Sequence, residues 1–517
     1  MFGRAGANAG VDRNSAQSSA LFGIVLVIAT AGLIYELAIA AVASYLLGDT
    51  VTQFSLVIGV YLSALGLGAY LSRYVDRDVT ITFVRVEFAT ALIGGLSVIG
   101  LELGFSFGAP FRVLLLLTVL VVGVLVGLEL PLLMRILEQR MTFRDLIARA
   151  LGFDYIGALL GSLGFSLWLL PQFGLAQTAL ICGLLNVSVG LVSTWLLVGQ
   201  TPEESRSLRG LRWLGLVLIA GLGTILWKAE PLTRLGERQI FGNIVHAVQS
   251  PYQRILVTKR KGNLDLFLNG RLQFSSSDEV RYHEALVHPV LAAATQARRV
   301  FVGGGGDGLA VREILKWKTV ESVTLVDIDS AITRLASTQS QLVRLNRQSL
   351  LNKRVHVVNA DAMIYLASAS DIYDVILLDF PDPTQLALGK LYTTQFYTIV
   401  RNHLSPAGAL GVQCTSPLLT RQSFWSIIST LEAVGLKVIP YRAFVPSFGD
   451  WGFAVARREP FEFPRSVPLI PMATLDRDTL RELTVMPIDT QRVPAKVNSL
   501  NNQALVAVYL KESARFE

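Results

Sequence analysis

The 517-residue chain is 52% hydrophobic and 16% charged, which excludes an ordinary soluble enzyme of uniform composition and leaves room for two or more domains. Its net charge of +7 is spread over short loops between apolar runs, a pattern that orients a membrane protein and gives no sign of a nucleic-acid partner. Cys182 and Cys414 have no metal-ligand spacing and suggest no disulfide, so they leave the compartment open.

Residues 1–230 read as an all-α multi-pass membrane bundle of about seven helices. Apolar segments fall at about 20–47, 53–72, 81–105, 110–134, 147–170, 173–199 and 212–228, each near or above the length that crosses roughly 30 Å of hydrocarbon. The first lacks a small-residue cleavage site and is a transmembrane helix rather than a cleaved signal. The last is the shortest, flanked by Arg212 with Trp213 and Trp227 with Lys228 as interfacial anchors.

Arg73 and Arg77, then Arg135, Arg140, Arg144 and Arg149, then Arg206, Arg209 and Arg212 follow the second, fourth and sixth segments. The positive-inside rule places these loops and the amino terminus in the cytoplasm, and seven crossings then put the rest of the chain outside. Glu36, Glu87, Glu102 and Glu129 interrupt the apolar stretches, with Arg85 as a partner to consider. They mark either a path for a cationic molecule or interhelical hydrogen bonds, the plainer reading. Gly95 and the Gly157–Gly161 pair predict close helix packing.

Residues 240–280 predict a small β region, with strands over Ile244–Val248, Arg254–Lys259 and Leu264–Leu268 and turns at Ser250-Pro251 and Gly262-Asn263. A helix follows Asp278. Residues 281–460 read as a Rossmann-like α/β domain of methyltransferase type. The strand Arg299–Val302 runs into Gly303-Gly-Gly-Gly306-Asp307-Gly308 and a helix, and a second strand, Val323–Val326, ends at Asp327. Glycines let the backbone turn and approach a ligand, the helix start offers N–H groups, and an acid about twenty residues on suits ribose hydroxyls. Strands Val355–Val358 and Tyr373–Leu378 lead into Asp361 and into Asp379 with Asp382, all expected at one cleft. Asp361 is placed to meet an adenine amino group. For any one of these acids a turn or helix cap is the ordinary role, but four at equivalent positions suit a cationic substrate and a proton acceptor. The tail, 461–517, is interrupted by Pro464, Pro468, Pro471, Pro487 and Pro494 and shows only a helix near Leu475–Leu483.

Ser250-Pro-Tyr-Gln253, Leu268–Gln273, Asp278–Glu284, Gly304–Gly308, Val326-Asp-Ile-Asp329, Asp361-Ala362, Asp379–Pro383 and Leu391–Tyr397 together resemble the polyamine aminopropyltransferases, the spermidine and spermine synthases, in their membrane-fused bacterial form. The resemblance implies that decarboxylated S-adenosylmethionine is the cosubstrate, that an amine attacks the aminopropyl carbon beside the sulfonium, and that 5′-methylthioadenosine leaves. It implies no prosthetic group and no metal. Gln253, Gly304, Gly306, Asp327, Asp361 and Ala362 would hold the nucleoside and Asp307 the aminopropyl amine. Asp379 would accept the proton, Asp382 would grip the diamine, and Tyr282, His283 and Gln273 would complete the site. A homo-oligomer in the bacterial inner membrane is implied as well. The cosubstrate argues for a cytoplasmic catalytic domain, against the seven-crossing count; either a segment is interfacial, re-entrant or miscounted, or the domain faces outward.

Two departures stand out. Phe448 replaces the family's tyrosine in Pro446-Ser-Phe-Gly449, and Phe380-Pro381 predicts an apolar, stiff lip, so the acceptor amine is open. The competing readings are an S-adenosylmethionine-dependent methyltransferase or lyase on the same scaffold, told apart by product, and a polyamine sensor or transporter relying on Glu36 and Glu129.

Overall fold

The computed structural model describes residues 5–47, 50–138, 141–197, 201–467 and 470–516, so Arg140 and Pro468 lie outside the described residues. The chain divides into a helical unit, Met1–Gly242, and an α/β unit, Asn243–Glu517.

The helical unit contains helices Ala5–Leu47, Thr50–Leu71, Val79–Ser106, Phe111–Glu138, Phe143–Gly164, Leu170–Leu196, Pro202–Trp227 and Ala229–Phe241. Among the described residues six stretches are long and apolar enough to cross a membrane, and one of them, Phe143–Leu196, spans 54 residues, more than twice the ~20 that one crossing takes. Its two helices are joined by a π turn, Phe165–Leu169, and the helical path breaks at Gly174, whose φ of 72° and ψ of −178° are open only to glycine. The final apolar helix begins at Pro202 instead of near residue 212, because Thr201 closes a capping box with Glu204. Its charged first turns hide that start from hydropathy. Arg212, expected to be an interfacial anchor, donates to the hydroxyl (3.0 Å) and carbonyl (2.7 Å) of Thr194, in the last turn of the preceding helix.

Small residues let these helices touch. A Cβ on Gly157 would lie 2.5 Å from the Leu26 carbonyl oxygen, and one on Gly95 would lie 3.2 Å from Gly183 Cα. Arg85 is exposed while Glu87 is buried, since positions two apart on a helix point to different faces. Among the described residues Arg85 forms no ion pair with Glu36, Glu87, Glu102 or Glu129.

The α/β unit opens with an antiparallel meander, β1 (Ile244–Gln249), β2 (Arg254–Arg260), β3 (Asn263–Leu268) and β4 (Arg271–Ser275). Lys261-Gly262 and Asn269-Gly270 have positive φ at both positions, as two-residue hairpins require. β4 was not expected, although the Asn-Gly dipeptide announces it. The main sheet holds β5 (Arg299–Gly304), β6 (Ser322–Asp327), β7 (Val355–Asn359), β8 (Tyr373–Asp379), β9 (Leu404–Gln413), β10 (Lys437–Val445) and β11 (Gly449–Arg457), in the order β10-β11-β9-β8-β5-β6-β7. β5 to β9 are parallel and β11 runs antiparallel to both neighbours.

Alternate residues of the central strands feed opposite cores. Val300 and Val302 pack with the helix Glu279–Ala293, while Phe301 packs with the helices Thr394–His403 and Arg421–Ala433. The tail forms the helices Arg477–Leu483 and Ala504–Ser513, and between them its backbone borrows partners. Arg421 donates to the Gln491 and Ile488 carbonyls, Trp425 to the Thr490 carbonyl (3.0 Å) and Asn498 to the Gly389 and Tyr392 carbonyls. Glu512 accepts the Gln422 and Ser423 N–H groups at the start of the helix Arg421–Ala433.

Candidate active site

The strand order reverses around β5, whose neighbours β6 and β8 carry Asp327 and Asp379 at their carboxyl ends, the place where open parallel sheets take ligands. The glycine loop after β5 is shaped by what it touches. Gly304 has φ 78°, and a Cβ there would lie 2.2 Å from the Asp379 carbonyl oxygen; a Cβ on Gly306 would lie 2.6 Å from Asp327 Oδ2. Asp327 accepts the N–H groups of Gly306 (3.0 Å) and Asp329 (2.8 Å), and burial outweighs these donors to raise its pKa to about 6. Asp307 caps its own loop through the Leu309 N–H (2.8 Å) and is likewise raised by burial to about 6, against the pull of His283.

Tyr282, on the helix Glu279–Ala293, donates to Asp379 Oδ1 at 2.7 Å. Burial raises Asp379 above the ordinary carboxylate range, while the His283 charge and the Tyr282 hydroxyl oppose the rise. His283 is buried with Nδ1 on the Glu279 carbonyl (2.8 Å) and carboxylate (2.9 Å). Burial alone would keep it neutral, but Glu279 overrides that and raises it to about 9, so it is a cation at neutral pH. Arg312 clamps Glu279 with two hydrogen bonds, 2.7 and 2.9 Å. Asp382 accepts from Tyr509 (2.6 Å), and its Oδ1 is buried without a hydrogen-bond partner among the described residues. Burial raises Asp382 too, opposed by Tyr509, by the Arg271 charge and by Gln413.

Charge couples Tyr282 to Asp379 and Asp382, His283 to Asp307 and Asp379, and Asp307 to Asp327, so six of the expected residues form one cluster. Others reach it indirectly. Gln253 donates to Asp329 Oδ2 (2.9 Å), as does Ser250 (2.7 Å), and Asp329 follows Asp327 by two residues. Asp361 caps the helix Ala362–Ser368 through Met363 and Ile364 N–H and pairs with Lys390, and Ala362 is buried behind it. Gln273 sits where the β3–β4 register shifts and bonds the Arg271 and Leu272 carbonyls of its own strand; it has no acid partner among the described residues.

Phe380 forms no lip. It is buried 5.9 Å from the Phe396 ring, because the Gly303 position leaves room for it, and Tyr392 and Gln413 hold its carbonyl. Phe448 lies 6.2 Å from Tyr282 and 5.0 Å from Trp451, on a loop latched by Ser447 to Asp278. Sequence reasoning missed Asp329, the Glu279–Arg312 clamp, Lys390 and Tyr509. Asp329 and Glu279 stand in motifs of the resemblance, whereas Arg312, Lys390 and Tyr509 stand in none.

Glu284, His288 and Glu313 also bring ligand atoms within 4.8 Å of one another. Lys316 pairs with both glutamates, and Glu284 accepts from Ala473 and Thr474, so the cluster is already neutralised.

Residues 279–463 match the family described as Spermine/spermidine synthase domain. A polyamine aminopropyltransferase of Leptospira interrogans is 45% identical over 495 residues, covering 96% of this chain and 98% of that protein. Polyamine aminopropyltransferase 2 of Ralstonia nicotianae is 45% identical over 494 residues, covering 94% and 96%. A spermidine synthase solved with the transition-state analogue AdoDATO has a TM-score of 0.44 at 23% identity, covering 48% of this chain and 86% of that one. Spermidine synthase from Thermotoga maritima has a TM-score of 0.43 at 21% identity, covering 48% and 85%. With relatives so similar along nearly its whole length, this chain is a member of the polyamine aminopropyltransferase family and an aminopropyltransferase enzyme.

Proposed function

We propose that the chain moves the aminopropyl group of decarboxylated S-adenosylmethionine to a linear di- or polyamine of the putrescine type. The observation that carries this reading is the Tyr282–Asp379 hydrogen bond of 2.7 Å inside a cluster of buried acids. Among the described residues no lysine or arginine donates to Asp307, Asp327 or Asp379, which leaves them for cationic and ribose groups.

The ribose hydroxyls bond Asp327, which Gly306 and Asp329 hold in place, with Gln253 fixing Asp329 from behind. A carboxylate offers about four acceptor sites; Asp361 uses three and keeps one for the adenine amino group beside Ala362. Asp307 takes the ammonium of the aminopropyl chain, and Asp382 Oδ1 takes the distal ammonium of the acceptor, with Gln273 on the strand beside Arg271 as a further polar contact. Asp379 removes a proton from the attacking amine. The nitrogen lone pair forms the C–N bond as the C–S bond breaks, and the sulfur keeps that electron pair as methylthioadenosine leaves. The leaving group is already a sulfonium, so alignment and deprotonation supply the catalysis. The buried His283 cation holds Asp307 and Asp379 ionised; its ring nitrogen is tied to Glu279, so it positions acids instead of gripping the amine.

The helical unit is proposed to anchor the enzyme in the bilayer, with the catalytic unit in the cytoplasm beside its donor. A second reading has its own support. Thr233 bonds Glu102 (3.3 Å), so the chain leaves the helical unit at the end of the helix Val79–Ser106 opposite Arg73 and Arg77. The positive-inside bias then puts the catalytic unit outside.

The deciding experiment gives purified protein either decarboxylated or intact S-adenosylmethionine with a panel of amines. Methylthioadenosine with an aminopropylated amine, from the decarboxylated donor only, is expected. S-adenosylhomocysteine, or product from the intact donor alone, would replace this reading with a methyltransferase or lyase. Labelling of a single engineered cysteine on the catalytic unit in intact cells by an impermeant reagent decides the side.

A further inference from the structure

Three acids lie inside the helical unit: Glu36 is 6% exposed, Glu87 0% and Glu129 1%. Glu87 on the helix Val79–Ser106 and Glu129 on the helix Phe111–Glu138 feel one another's charge, and both act on Tyr35 of the first helix. Glu36 and Glu129 both act on Tyr61 of the second helix. Thr90, three residues beyond Glu87 and on the same face, stands beside Glu129. Four helices thus bring acids and hydroxyls to one interior region. Thr90 is near enough to act on Glu129 as a donor, yet among the described residues no partner has the distance and angle of a hydrogen bond to any of the four oxygens of Glu87 and Glu129 or to the Tyr35 hydroxyl.

An independent group points to the same place. Asn186 is 0% exposed, and neither its Nδ2 nor its Oδ1 has a partner among the described residues. Its helix packs against Val79–Ser106 through Gly183, where a Cβ would lie 2.7 Å from the Ala91 carbonyl oxygen, and Gly190, where a Cβ would lie 3.1 Å from Glu87 Cβ. Asn186 comes three residues after the first and four before the second, so it shares their face and meets the neighbouring helix at the level of Glu87 and Thr90.

Two buried carboxylates without donors are untenable as bare charges in an apolar interior; they take up protons or a cation. Protons alone would supply one O–H donor per carboxyl, too few for the oxygens of Glu87, Glu129 and Asn186 together, whereas buried polar groups are almost always hydrogen-bonded. An alkylammonium has three N–H donors and suits a set of carboxylate and amide oxygens.

We propose that Glu87, Glu129 and Asn186 form a buried site in the helical unit for the protonated primary amine of a linear polyamine, separate from the catalytic cleft. The choice of an amine over a metal ion rests on the transferase reading; the need for a bound cation does not.

Equilibrium dialysis of labelled putrescine and spermidine against the full chain in detergent, without donor, tests it. The native protein should bind one more amine per chain than a Glu87→Gln, Glu129→Gln double variant that keeps native transfer rates and amine KM, which shows it folded. Asn186→Ala, a milder change, should weaken the same site about tenfold, the loss of one hydrogen bond to a charged group. Equal stoichiometry in native and double-variant protein overturns the proposal. So does saturable Na+ or Ca2+ binding at these residues that amine does not displace, or proton uptake with no amine bound. Failure of the transferase reading would appear separately, as absent product in the presence of donor.

Discussion

The two units bury acids in opposite ways. In the α/β unit nearly every buried carboxylate has donors: Asp327 has two backbone N–H groups, Asp329 has Ser250, Gln253 and the Ala331 N–H, and Glu279 has Arg312 and His283. In the helical unit Glu87 and Glu129 have none among the described residues. Full satisfaction makes an acid a rigid positioning element, whereas a buried acid left unsatisfied takes up a proton or a cation. Asp382 lies between these cases, with one oxygen held by Tyr509 and the other open.

The sharpest way to break this contrast is at the acid that performs chemistry. Asp379→Asn should lower kcat about 10³-fold with donor affinity retained, read as methylthioadenosine release, because it removes the proton acceptor and leaves the fold intact. Tyr282→Phe should cost about 10–10²-fold in kcat, since the acid stays but loses the bond that aims it. Asp327→Asn should raise the donor KM about tenfold with a smaller change in kcat, the signature of lost ground-state binding. Tyr509→Phe should raise the amine KM about threefold, measured at saturating donor, because Asp382 is loosened but present.

The smallest expected effect is on stability. His283 is raised from an ordinary 6.5 to about 9 by Glu279, so its cation stabilises the folded unit fully below about 6.5, and that contribution is lost as pH rises through about 9. Thermal unfolding should show the native midpoint falling between pH 6.5 and 9 by a few degrees more than that of His283→Asn.

Much of the catalytic scaffold was legible because its signals are local. The glycine run from Gly303 to Gly308 lies between an apolar strand and a helix, and Asp327 and Asp379 end runs of β-branched and leucine residues. The hairpin dipeptide Asn269-Gly270 held the same information and predicts β4. What stayed hidden depends on contacts that no window contains. Gln253 meets Asp329 across 76 positions, and Tyr509 reaches Asp382 across 127, from the tail helix Ala504–Ser513. Phe380 was misread for a related reason: a residue between two catalytic-loop acids suggests surface, but the cavity under Gly303 takes the ring inward. Arg85 and Glu87 are neighbours in sequence and strangers in space, which only helical geometry reveals.

The central claim, that Asp379 held by Tyr282 accepts the proton of the attacking amine, is tested most directly by kcat/KM for the amine as a function of pH in native and Tyr282→Phe protein. The Tyr282 hydroxyl favours the ionised carboxylate, so its removal is predicted to move the acid limb to higher pH while the plateau falls. An acid limb at the same pH in both proteins would contradict the account and assign the proton to another group.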